Sequence, residues 1–505
     1  MRRRSKRSRG IRRRIIASSL LLCAAALVGW LLVRCSERPA APQERAALPV
    51  ASHAPVPAAA PWSPAERAAL ARAMRAAFAP ALDGADRWSI AVLAADGTPL
   101  YGDRADRAAS PASVLKLVVA ATALDELGPY FRYSTLLAAR GAVDSGGTLP
   151  GDLWLVGSGD PSLRSKDLRA GVASLWSAGL RHVEGGIAVD ASAIGGREIN
   201  PHWDPDDANE DFQAPVSGIS LDGDTVEFDV TGSGPGQAAQ VRIVPPSDDV
   251  WASGSIASGS GDSVVIAATQ TPNAFALGGE IPQGVTEKFW VPVHDMPRYA
   301  GAVLARILAA AGITTGAPPS VAKVPFDSIA LWDHRSAPLR VLERHMLFAS
   351  DNHYAEQLLR TVGLEDGASA NTPGGIAVER AFLSERGIPT PELHLVDGSG
   401  LAPANRIAAS TLAGVLADAQ NRGGGASLYE LLPLGGRQGT LSDYDFTTAL
   451  GRVRAKTGHL DDVAALAGYV NTLHHGRIVF AFIVDGSPGS PDSAYVRAVD
   501  RLAAM

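Results

Sequence analysis

Lysine is nearly missing from this chain. Of 46 basic residues only six are lysines (Lys6, Lys116, Lys166, Lys288, Lys323, Lys456), leaving 40 arginines. Arginine serves wherever a generic cation suffices, so each lysine invites the question of what arginine could not do there. Arginine keeps its proton in proteins, whereas a buried lysine can give its proton up. Cysteine is scarcer still. Cys23 and Cys35 both fall in or beside one apolar run, and the remaining chain has none. That excludes a disulfide framework and a cysteine metal site there. The eleven histidines include no His-Glu-x-x-His, which argues against a zinc hydrolase of that type. No Gly-x-Ser-x-Gly occurs, which argues against a nucleophile-elbow hydrolase. No metal or cofactor is expected.

Acids are absent from residues 1–35, which carry ten basic side chains. Without them the net charge of −6 becomes −6 − 10 = −16. An acidic outer part argues against a nucleic-acid partner. Segment 1–14 holds nine of those cations, and the apolar run 15–33 follows. Nineteen such residues can cross a bilayer core of about 30 Å. The basic flank predicts a cytoplasmic N-terminus and an anchor in the inner membrane. A cleaved signal segment of the same polarity is the alternative. Residues 34–62, rich in alanine and proline, read as an extended spacer.

Order begins at Ser63-Pro64-Ala65-Glu66, a capping box with proline at the first helical position. A helix to about Phe78 follows, then strands from Trp88 to Ala94 and up to Tyr101 around the Asp96-Gly97 turn. Ser113 to Leu127 has no glycine or proline and reads as a buried helix beginning at Ser113. From about 134 to 339 glycine, serine and valine dominate, predicting β-rich insertions. Helical patterns return after Leu339, and two strands, Ala464 to Thr472 and Arg477 to Val484, precede a last helix. The expected fold is α+β, a helix-flanked core interrupted by insertions.

Two lysines lie in motif-like settings with a third as decoy. Ser113-Val114-Leu115-Lys116 opens the uninterrupted helix, so hydroxyl and amine share one turn. Ser320-Val321-Ala322-Lys323 has the same spacing, but Pro318, Pro319 and Pro325 flank it and deny it a helical face. Ser350-Asp351-Asn352 offers a hydroxyl that can relay a proton and an amide that can hold a substrate amide. A second match, Ser369-Ala370-Asn371, lies in a loop-like stretch. Lys456-Thr457-Gly458 continues a strand on which a peptide could pair by β-augmentation. Singly, each reads equally as a helix cap, a turn or an edge strand.

Their order is more specific. Ser-x-x-Lys, Ser-x-Asn and Lys-Thr-Gly, with 237 positions between the first two serines and 106 from Ser350 to Lys456, resemble the class C low-molecular-mass penicillin-binding proteins of the DacB type. These are serine-type D-alanyl-D-alanine carboxypeptidase/endopeptidases. Pro111-Ala112-Ser113, Leu155 to Leu163, Ser350 to Leu358, Asp397 to Leu401, Leu432 to Leu441 and Val463 to Val470 are similar as well. The resemblance implies a transpeptidase/β-lactamase-like core, an antiparallel sheet flanked by helices, at 63–133 and 340–505. One inserted domain would occupy 134–200 and 303–339, and a second β-rich one 201–302. Ser113 would be the acylated nucleophile and Lys116 its base. Ser350 would relay a proton to the departing D-alanine, and Asn352 would hold the substrate amide. Lys456 would hold Ser350 and favour a neutral Lys116 by its field. Thr457, Gly458 and His459 would bind substrate, and the N–H groups of Ser113 and His459 would form an oxyanion hole. The implied partners are peptidoglycan stem peptides and, as covalent inhibitors, β-lactams, at the extracytoplasmic face of a bacterial envelope.

His459 departs from the threonine or serine usual after Lys-Thr-Gly. Sharing a strand face with Thr457, it is expected beside the substrate carboxylate and to alter the preference there. Two other readings stay open: a β-lactamase with the same core, and a wall-binding scaffold of weak activity.

Overall fold

The computed structural model describes residues 62–421, 427–487 and 491–505. The basic segment 1–14, the apolar run 15–33 and all of the spacer except Trp62 lie outside them, as do both cysteines. Among the described residues no helix is long and apolar enough to cross a membrane.

Strands from early and late in the described residues build one sheet. Its order is Val453–Leu460, Val463–Asn471, Arg477–Asp485, Arg87–Ala94, Pro99–Asp103, antiparallel throughout. The second and third strands are apolar on both faces and buried along almost their whole length, so helices must cover both faces. On one side lie Pro64–Leu82 and Asp492–Ala503, packed on Phe480 and Phe482. The first of these helices starts with the expected capping box: Glu66 donates its N–H to Ser63 Oγ, and Ser63 N–H returns to Glu66. It runs past the expected end to Leu82, with Pro80 inside.

On the other side the sheet presents Ala91, Ala481 and Ala467 in register across three strands. Helix Ala409–Asn421 packs on this small-residue face, and Lys116–Glu126 runs through the middle of the lobe beyond it. That helix is buried on every side from Lys116 to Ala123, as an all-round apolar helix must be. Leu339–Ala349, Asn352–Glu365, Thr372–Glu385 and Ala409–Asn421 complete this lobe.

Between Ser134 and Arg335 strands predominate, as expected, with two helices among them that the glycine-rich texture did not suggest. Strands Leu153–Val156, Ile187–Asp190 and Ser320–Val321 are parallel, with Ser134–Ala139 and Ile329–Arg335 added antiparallel. Two helices, Ser165–Ser177 and Met296–Ala310, serve this sheet. The first is disguised by Gly171, which is needed because a Cβ there would stand 2.9 Å from the Trp332 ring. The second is alanine-rich and apolar, blending into its surroundings. The glycine-rich stretch does form short sheets between Thr225 and Pro292. Ser320 sits on a short exposed edge strand with Lys323 also exposed, and Asn371 caps helix Thr372–Glu385.

Two core residues, Glu343 and Glu379, are out of character. Glu343 is wholly buried and neither carboxyl oxygen has a hydrogen-bond partner. Burial raises its pKa well above the usual 4.5. Because the folded pKa exceeds the unfolded one, its contribution is least harmful below about pH 4.5 and worsens as pH climbs toward the folded pKa. Glu343→Met should therefore stabilise the fold by about 1–3 kcal/mol at neutral pH and much less at pH 4. Urea denaturation at the two pH values checks this; an equal gain at both would contradict it.

Candidate active site

Ser113 lies in a 3₁₀ turn, Ala112–Leu115, and the α-helix proper begins at Lys116. This corrects the expected start at Ser113. The turn follows Ala112, an alanine held at φ +46°, a left-handed conformation costing about 1–3 kcal/mol. Two glycines hold it. A Cβ on Gly400 would stand 1.9 Å from the Ala112 carbonyl oxygen, and one on Gly458 would stand 2.9 Å from Ser113 N and from Pro111 O. Gly458 thus lets the Lys456 strand press against the nucleophile turn, whereas the sequence suggested only substrate approach.

The amine of Lys116 has three neighbours: Ser113 Oγ at 3.0 Å, Asn352 Oδ1 at 2.7 Å and the Ser399 carbonyl at 2.7 Å. A neutral amine has two N–H donors and one lone pair. Asn352 and Ser399 can only accept, so the lone pair is left for the Ser113 hydroxyl. Burial lowers the Lys116 pKa to about 8, against the opposing carboxylates of Asp397, Asp351 and Glu356.

Ser350 ends helix Leu339–Ala349 in a left-handed conformation, φ +60°, and Asp351 caps the next helix by accepting from Tyr354 N–H. The Ser-x-Asn element is therefore a tight junction between two helices. Ser350 Oγ accepts from Lys456 Nζ at 2.9 Å, and Asn352 Nδ2 donates to the Phe212 carbonyl at 3.0 Å. Lys456 also donates to the Thr457 carbonyl, 2.7 Å. Its pKa falls well below 10.5, first through burial and then through repulsion by Lys116. The two buried amines repel each other, so charging either one disfavours charging the other.

The Lys456 strand is the sheet's edge. Ala455 N–H points outward to the Pro433 carbonyl. By strand alternation the N–H and C=O groups of Thr457 and His459 face the same side. Thr457 Oγ1 donates to Thr440 Oγ1 at 2.6 Å. The His459 ring is half exposed, and its Nε2 sits 3.0 and 3.2 Å from the two Asp492 carboxylate oxygens. It shares Thr457's strand face but is drawn toward the last helix.

A cleft of about 660 Å³ opens over Ser113, Ser350, Asn352 and His459. All eight residues singled out in the sequence gather around it or directly behind it. Others had no local signal. Phe212 and Gln213 come from the insertion and form one wall. Glu356 is buried beneath it, accepting from Gly398 and Ser399 N–H, with its pKa pushed up to about 7 by burial and then by Asp397. Among the described residues no cluster of His, Cys, Asp or Glu could hold a metal ion.

A D-alanyl-D-alanine carboxypeptidase of Actinomadura sp. (strain R39) is 31% identical over 441 residues, covering 83% of this chain and 81% of that protein. The D-alanyl-D-alanine carboxypeptidase DacB of Haemophilus influenzae is 26% identical over 406 residues, 77% and 83% of the two chains. The crystal structure of penicillin binding protein 4 (dacB) from H. influenzae superposes with a TM-score of 0.74 at 22% identity, covering 86% of this chain and 99% of that one. The profile of the D-Ala-D-Ala carboxypeptidase 3 (S13) family matches residues 69–505. With nearly the whole described chain inside that match, the protein belongs to the S13 family of serine-type D-Ala-D-Ala carboxypeptidases.

Proposed function

We propose that Ser113, Lys116, Ser350, Asn352 and Lys456 carry D-Ala-D-Ala hydrolysis on peptidoglycan stem peptides through an acyl-enzyme. The observation that carries this reading is the three-way setting of the Lys116 amine. Ser113 Oγ attacks the carbonyl of the penultimate D-alanine while Lys116 takes its proton. The oxyanion is received by the N–H groups of Ser113 and His459, each such donor worth about 3–4 kcal/mol in hydrolases. Ser350, held by Lys456, passes a proton to the departing amine, and water then cleaves the Ser113 ester. The open side of the Lys456 strand supports substrate pairing by β-augmentation. The same steps cleave a D-alanyl crosslink, an endopeptidase activity. The segment 15–33 anchors the enzyme on the extracytoplasmic side of the inner membrane.

Mass mapping after brief exposure to penicillin tests the assignment. A persistent adduct on the peptide bearing Ser113 is expected; an adduct on Ser350 or Ser320 overturns the roles. Rapid loss of the adduct with turnover of penicillin would favour the β-lactamase reading.

His459 tunes the leaving-group side. Its imidazole, tethered to Asp492, replaces a small hydroxyl donor. His459→Thr should raise release of terminal D-alanine relative to crosslink cleavage by about tenfold, the size of one altered pocket contact. An unchanged ratio on paired substrates would remove His459 from specificity.

A further inference from the structure

A second cleft of about 470 Å³ lies back to back with the first. Phe212, Gln213, Ser350 and Asn352 face the reactive cleft, whereas Asp211, Asp351 and His353 face this one. The same two short segments form the wall between them. The second cleft plays no part in the chemistry above, yet its lining is that of a binding site. Trp290, on strand Thr286–Pro292, is 47% exposed at its rim. Tyr354 also belongs to the lining, its ring 4.5 Å from that of His345 and its hydroxyl beside Arg164. Asp222 accepts from Ser165 N–H through one oxygen at 3.0 Å, and its other oxygen is buried with no partner.

The lining discriminates between ligand classes. A simple anion meets three carboxylates, Asp211, Asp222 and Asp351, and among the described residues no cluster could hold a metal ion; Asp351 is already bound by His345 at 3.0 Å. A purely apolar ligand would leave the second Asp222 oxygen without a partner and cover the Arg164 guanidinium with apolar surface. What fits is a ligand with a flat apolar face for the indole and a rim of hydroxyl and amide groups for the planar polar side chains. An N-acetylated pyranose has both.

We infer that this cleft binds the amino-sugar strand of peptidoglycan, seating the glycan on Trp290 so that a stem peptide crosses the shared wall to Ser113. The inference rests on the carboxypeptidase reading of the first cleft and adds a site for the glycan. It makes the insertion a substrate-gripping element: Trp290, Arg164 and Asp222 come from it, while Tyr354 and His345 come from the catalytic lobe.

The test uses the full chain, with a β-1,4-linked N-acetylglucosamine tetramer as probe. Wild type, Trp290→Ala and Trp290→Phe are compared by calorimetric titration. D-alanine release is measured from a soluble stem pentapeptide and from intact sacculi. Trp290→Ala should weaken tetramer binding by at least about tenfold, a loss of about 1.4 kcal/mol. It should lower release from sacculi by a similar factor and leave the soluble pentapeptide unaffected. Trp290→Phe should keep most of both. The inference is overturned by a wild type that does not bind the tetramer, by unchanged release from sacculi in Trp290→Ala, or by displacement of the tetramer with soluble stem peptide. Penicillin acylation of the same samples reports separately on the first cleft.

Discussion

Lys116→Arg should lower the rate of acylation, by penicillin and by D-Ala-D-Ala peptide alike, by at least about 10³-fold. The substitution keeps charge and approximate length, so it isolates the one property arginine lacks. A guanidinium cannot shed its proton to become a base. It also has no lone pair to offer Ser113 Oγ while donating to Asn352 and Ser399. The pH dependence follows from the same group. Burial lowers Lys116 to about 8, and only the neutral amine accepts a proton. Acylation by wild type should therefore rise with pH and level off above about 8. The arginine variant should show no such limb. Stopped-flow acylation across that range measures both. An arginine variant within tenfold of wild type, or a wild-type rate that falls as pH rises toward 8, would remove Lys116 from the base's role.

The sequence made the first-rank groups legible for a geometric reason. A serine and a lysine three apart meet on a single turn, whether 3₁₀ or α, so Ser113 and Lys116 find each other locally. The prolines around Ser320 rightly separated the decoy, which is an edge strand. The central strands were legible because they are apolar on both faces. What stayed hidden is long-range or made by the backbone. The Ser399 carbonyl on Lys116 spans 283 positions and leaves no side-chain signature. Phe212 enters through its carbonyl, from an insertion whose glycine-rich texture also concealed two helices. Gly458 was noticed for its strand position, but its partner, the strained turn at Ala112, is 346 positions away.

The loop that delivers Ser399 rests on Asp397, and removing that carboxylate carries the largest expected cost to stability. Asp397 is wholly buried and accepts four hydrogen bonds: from Gly400 N at 2.9 Å, Ala402 N at 2.7 Å, Asn405 Nδ2 at 2.7 Å and Trp203 Nε1 at 3.1 Å. Asp397→Ala leaves all four donors in a dry interior, at roughly 1 kcal/mol or more each. One effect opposes this. Asp397 raises the pKa of Glu356, so its loss relieves a like-charge repulsion between buried carboxyls. That relief is a single pairwise effect softened by relaxation, against four orphaned donors, so the donors win. The expected net loss is about 3 kcal/mol in urea unfolding. Acylation should slow too, because the Ser399 carbonyl loses its anchor and with it one of the acceptors that orient the Lys116 amine. Asp397→Asn keeps one acceptor oxygen and should lose less of both. Unfolding of Asp397→Ala at the wild-type midpoint would show that the loop is held by packing alone. Slowed acylation with unchanged stability would instead make Asp397 purely a positioning residue for Lys116.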